Sequence, residues 1–78
     1  MALKLIIARV DKTLFDGNVE SVTLPGSSGE FTVLRGHEPF VTTLKKGNIT
    51  VSSGDSEQRF TITNGLVEVT SGRAVVLI

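Results

Sequence analysis

One histidine, His37, stands beside a carboxylate, Glu38, in the stretch PGSSGEFTVLRGHEPF at residues 25–40. The same stretch holds both prolines and three of the eight glycines. A histidine next to a carboxylate can serve as a general base, as a metal ligand, or as part of a surface that a partner recognises. Acid–base work needs the two side chains to converge on one substrate atom, whereas neighbours on an extended backbone point to opposite faces. No serine or threonine sits in a nucleophile motif that would complete a triad. Cysteine is absent, which removes a thiolate nucleophile, a disulfide and any cysteine-based zinc site. A single histidine among scattered carboxylates lacks metal-ligand spacing. These residues point away from catalysis, imply no metal and no cofactor, and leave a contact surface as the expected use of the stretch.

Two other groups invite a chemical reading. Gly26-Ser27-Ser28-Gly29 has the glycines of a phosphate loop, but no Gly-Lys-Ser/Thr follows and no helix begins there, so a wide turn over Pro25 to Gly29 is expected. Lys45-Lys46-Gly47 lies between two strand-like segments and is similar to the hairpin lysine of lipoyl and biotinyl carrier domains. The flanking Thr43-Leu44 lacks the acidic or methionine neighbours of that pattern, so the carrier stays as the alternative to a solvated hairpin whose charges discourage edge pairing. Nucleic-acid binding would want a basic groove with exposed aromatics for stacking. Here eight Lys and Arg balance eight Asp and Glu, and the aromatics are four phenylalanines at alternating apolar positions, expected in the core.

The elements that must position these residues are strands. Apolar residues recur with period two at Val22 and Leu24, Phe31 and Val33, Phe40 and Leu44, Ile49 and Val51, Phe60 and Ile62, Val67 and Val69, and Val75 and Leu77. The expected spacers are Asp16-Gly17, Pro25 to Gly29, Lys46-Gly47, Ser53-Gly54-Asp55, Asn64-Gly65 and Ser71-Gly72. Thr and Val dominate between them, and no helical periodicity is sustained. The expectation is all-β: about eight to ten short, mostly antiparallel strands in a small flattened β-sandwich, with no helix. A chain of 78 residues with no linker or repeat reads as one domain over 1–78. MALKLIIARVDK, interrupted by Lys4 and Arg9, reads as a strand and not as a signal peptide, and no apolar run approaches the roughly 20 residues of a membrane span.

Three segments carry a family resemblance: Leu14-Phe15-Asp16-Gly17-Asn18-Val19-Glu20, Gly29-Glu30-Phe31-Thr32-Val33-Leu34-Arg35-Gly36-His37-Glu38-Pro39-Phe40, and Leu44-Lys45-Lys46-Gly47. With Asn64-Gly65-Leu66-Val67-Glu68-Val69 and Val75-Val76-Leu77 in register, the chain resembles the epsilon-subunit family of F-type ATP synthases over nearly its whole length. Thr32, Arg35 and Asn64 depart from residues usual there. The resemblance implies the family's amino-terminal ten-stranded β-sandwich. It also implies a non-catalytic rotor part of the central stalk that links the gamma subunit to the c-ring and couples rotation to ATP synthesis. The complex holds such a part at the cytoplasmic face of the bacterial inner membrane. By the same resemblance Glu30 faces the c-ring loops and His37 lies along gamma, and the expected partner-binding residues are Glu30, Arg35, His37, Glu38 and Phe40. Family members that continue into a carboxy-terminal helical hairpin inhibit hydrolysis and in some cases bind ATP; with the sequence ending at Ile78, neither property is expected of this polypeptide.

Overall fold

The computed structural model describes residues 2–78 and holds nine strands and no helix among them. They are β1 (Leu3–Arg9), β2 (Lys12–Val19), β3 (Ser21–Gly26), β4 (Gly29–Leu34), β5 (Phe40–Leu44), β6 (Gly47–Ser53), β7 (Ser56–Ile62), β8 (Gly65–Thr70) and β9 (Arg73–Leu77). The period-two pattern does the sorting: Leu3, Leu5 and Ile7 of β1 point inward while Lys4 points out, and Ile49 with Val51 and Val67 with Val69 repeat the device.

Hydrogen bonding runs through every strand in the order β2-β1-β9-β8-β5-β3-β6-β7, with β4 on the other side of β3. All pairs are antiparallel except β1 with β9, which run parallel in the register Lys4↔Arg73 to Ala8↔Leu77. The path folds at β3. That strand pairs with β6 over Ser21–Thr23 and reaches β5 only at Gly26↔Leu44. Pro25 sits at this corner, where it has no N–H to leave unpaired, and its carbonyl accepts the Lys45 N–H at 2.9 Å. Two layers result, β2-β1-β9-β8-β5 and β7-β6-β3-β4. The expected flattened β-sandwich is therefore built from one sheet curled on itself.

Between the layers lies a core of fifteen buried aliphatic residues among those described, contributed by every strand. The phenylalanines, expected in the core, stand partly exposed at its two flanks. Phe15 of β2 meets Phe60 of β7 edge-to-face at 6.3 Å, and Phe31 of β4 meets Phe40 of β5 at 5.3 Å. Each pair joins the outer strands of opposite layers.

Several local expectations are corrected. Asp16-Gly17 is no turn but the middle of β2, paired with Ile6 and Leu5; the chain turns at Val10-Asp11, and β2 bulges opposite Ile7/Ala8. Pro25 and Gly26 are buried in β3, so the wide turn shrinks to Ser27-Ser28, closed by Gly29 at φ 136°. In β9 the inward residues are Ala74 and Val76, not Val75 and Leu77. The segment Ala74 to Ile78 is apolar throughout, so alternation does not mark its inner face.

Candidate functional site

The loop between β4 and β5 carries the lone histidine. His37 N–H donates to the Leu34 carbonyl at 3.2 Å, and Gly36, at φ 87°, supplies the left-handed backbone that this turn requires. The imidazole Nδ1–H donates to the main-chain carbonyl of Glu38 at 2.9 Å, and the ring lies 5.0 Å from that of Phe40. His37 is thus tied to backbone and to an aromatic ring, and the Glu38 carboxylate takes no part. Phe31, Phe40 and His37 form one half-buried row, with Glu30, Arg35 and Glu38 exposed around it. The five residues expected to bind a partner therefore lie on the loop and on the two strands that flank it. Arg35 and Glu38 form no ion pair among the described residues, whose two such pairs are Lys4–Asp16 and Arg59–Glu57.

A second surface escaped the sequence reading. On the outer face of the five-stranded layer, register sets Val41, Glu68, Val75, Ile6 and Asp16 in one row, and Thr43, Leu66, Leu77 and Ala8 in the next. Ile6, Ala8, Leu66, Val75 and Leu77 are neighbours in this array, with Val41 across Glu68. Leu66 is 38% exposed, Leu77 51% and Val41 60%. Charges border the patch: Lys4 is paired with Asp16 at 2.8 Å, and Arg73 and Glu68 stand beside it. An apolar centre with a charged rim is the anatomy that protein–protein contacts share. The signal was in the sequence: outward positions of β1, β5, β8 and β9 carry Ile, Val and Leu where a wetted face would carry polar residues.

Elsewhere the surface offers less. A recess of about 190 Å³ is lined by Arg9, Thr61, Ile62, Thr63, Asn64 and Ile78, far from His37 in the fold. Lys45 and Lys46 are exposed in the turn between β5 and β6. Among the described residues no group of three or more His, Asp or Glu is arranged to hold a metal ion, and no helix is long and apolar enough to cross a membrane.

Fold and surfaces together define a small β-sandwich of one curled sheet that presents one apolar sheet face and one aromatic-backed loop. The chain belongs to the family described as ATP synthase, Delta/Epsilon chain, beta-sandwich domain, whose model matches residues 2–78. It is 40% identical over 77 residues to the ATP synthase epsilon chain of Chlorobium limicola, a match covering 97% of this chain and 88% of that one. It is also 40% identical over 67 residues to the epsilon chain of Bradyrhizobium sp. (strain ORS 278), covering 86% of this chain and 50% of the relative. The chain thus spans about half the length of the Bradyrhizobium relative. Among solved structures it is similar, at a TM-score of 0.91 and 26% identity, to a chain of the Euglena gracilis mitochondrial ATP synthase OSCP/F1/c-ring structure, covering 97% of this chain and 49% of that one. A chain of the Tetrahymena thermophila mitochondrial ATP synthase central stalk/c-ring structure shares the fold, at a TM-score of 0.79 and 10% identity, covering 99% of this chain and 63% of that one.

Proposed function

We propose that this polypeptide is a non-catalytic central-stalk part of an F-type ATP synthase, standing between the gamma subunit and the c-ring and coupling ring rotation to ATP synthesis. As one domain over its length it would be peripheral to the membrane, held there by the complex, on the cytoplasmic side in a bacterial cell. The observation that carries the reading is the apolar array of Ile6, Ala8, Leu66, Val75 and Leu77 on a chain of this family. Such a face supplies affinity, while the bordering Lys4, Arg73 and Glu68 fix orientation. Gamma is its proposed occupant. The loop residues Arg35, His37, Glu38 and Phe40 lie at the flank of the same layer, through β5, and extend that contact. Glu30, on β4 in the other layer, is left for the c-ring loops.

A torque-bearing joint gains from surfaces that are stiff before they meet their partners, because less entropy is lost on binding. Pro39 fixes one φ of the loop, and the hydrogen bonds of His37 fix its start and its imidazole. The test is calorimetric titration of the chain against gamma from the same source. A saturable one-to-one complex, weakened by His37→Ala and untouched by Glu30→Lys, is expected; absence of any complex at high concentration would reject the assignment.

A further inference from the structure

β4 is an edge strand that, among the described residues, pairs with β3 alone. Pro25 reveals which of its backbone groups are used. The Pro25 carbonyl accepts from Lys45 and the Ser27 N–H donates to the Thr43 carbonyl at 3.0 Å, so both residues turn their main-chain groups toward β5. N–H and C=O of one strand residue point to the same side, and the sides alternate along the strand. Val22 and Leu24 therefore face β4, opposite Val33 and Phe31. By the same alternation Glu30, Thr32 and Leu34 direct their N–H and C=O groups away from β3. The His37 N–H occupies the Leu34 carbonyl, and the remaining groups point to the open side of β4.

Natural sheets guard such edges with bulges, prolines or charges. β2 has its bulge together with Lys12 and Asp16, and β7 carries Glu57 and Arg59. β4 pairs with β3 in unbroken register, contains no proline, and bears one charge, Glu30, which forms no ion pair among the described residues. Its outward side chains are Glu30, Thr32 and Leu34, the last 56% exposed.

We infer that the open edge of β4 accepts an added strand from a partner polypeptide, an extended segment with a basic residue facing Glu30 and an apolar residue beside Leu34. Main-chain hydrogen bonds to Glu30, Thr32 and Leu34 supply the pairing, and the charge and the leucine set the register. A second copy of the chain is the poorer occupant: two β4 strands meeting antiparallel about Thr32 set each Glu30 opposite a Leu34, with no cation facing it. The inference rests on the stalk reading only for where the segment comes from, which is the c-ring side of the rotor.

The experiment adds the chain to rotor particles, gamma with c-ring, stripped of their own epsilon, and follows amide hydrogen exchange. The amides of Glu30, Thr32 and Leu34 are expected to exchange quickly in the free chain and at least about tenfold more slowly in the complex, as newly hydrogen-bonded amides do. Thr32→Pro removes an N–H that β3 does not use, so it should fold and bind at least about tenfold more weakly, whereas Thr32→Val should bind like the parent. Both variants lose the 2.9 Å hydroxyl contact of Thr32 with Thr23, so that loss cancels between them. Should Thr32→Pro fail to fold, exchange in the parent chain decides alone. Tight binding with the three amides still unprotected overturns the added strand and leaves the stalk reading standing; no binding overturns both. Concentration-dependent protection in the chain alone overturns it in favour of self-pairing.

Discussion

Replacing Leu77 by Asp separates the outer face from the core that lies one residue away. Leu77 is 51% exposed, and its register neighbours Leu66 and Ala8 point to the same side. Full burial of a leucine side chain is worth about 1.5–3 kcal/mol, so the half already covered contributes roughly 0.7–1.5 kcal/mol to the fold, and the carboxylate of the variant can still reach water. In a domain of this size about 1 kcal/mol moves Tm by roughly 4–8 °C, so a fall of about 3–12 °C is expected. If gamma covers this face as proposed, the complex also loses the other half of the leucine and sets an unpaired charge against an apolar partner, at a further cost of about 1–3 kcal/mol. The sum, roughly 2–4.5 kcal/mol, is expected to weaken the proposed gamma binding by about 30- to 2,000-fold. Val76→Ala is the control: Val76 is fully buried on the opposite face of the same strand, and its truncation should lower Tm by as much or more through the cavity it leaves. It leaves the outer face untouched, and its affinity should stay near that of the parent. Thermal melts and titration calorimetry on both variants decide the matter. Parent-like binding by Leu77→Asp, or a loss of affinity in Val76→Ala that tracks its Tm, would refute the reasoning.

Two further outcomes follow from local geometry. At Gly26 an added Cβ would lie 2.7 Å from the Gly29 carbonyl oxygen and 2.8 Å from the Phe31 ring, so Gly26→Ala should cost about 1–3 kcal/mol in chemical denaturation; a parent-like midpoint would mean that β4 moves aside freely. The Lys4–Asp16 pair is about half exposed at each end, so Asp16→Asn should cost less than about 1 kcal/mol and the difference should shrink in high salt; a larger, salt-independent loss would show that the pair is shielded from water.

What the sequence disclosed depended on how sharply polarity alternates. In β6 and β8 each inward Ile or Val has Thr, Ser or Glu beside it, and both the strand and its inner face could be read. In β9 the neighbours Val75, Val76 and Leu77 are all apolar, and the inner face was misread by one residue. The same lack of contrast hides the apolar array, because alternation groups Val75 and Leu77 with the inward residues of the other strands. Asp16-Gly17 has turn chemistry, but pairing with β1 overrides local preference and keeps β2 extended. The parallel pairing of β1 with β9 joins residues about seventy positions apart, and no local pattern encodes it. At the loop, nothing in the order His37-Glu38 tells that the imidazole bonds the carbonyl and not the carboxylate.

The placement of the four phenylalanines bears on how partners can be met. A sandwich of two short layers has two long flanks through which water could reach its middle, and the outer strands there have no further strand to cover them. Aliphatic Leu, Ile, Val and Ala fill the interior, where side chains from the two layers interdigitate, while the Phe15–Phe60 and Phe31–Phe40 pairs span the gaps at either side. Sealed in this way, the core does not have to rearrange to present a binding surface. The apolar face of β1, β5, β8 and β9 and the open edge of β4 both exist in the free chain. Partners are therefore expected to dock with little change in the backbone, and two can be engaged at once because face and edge belong to different layers.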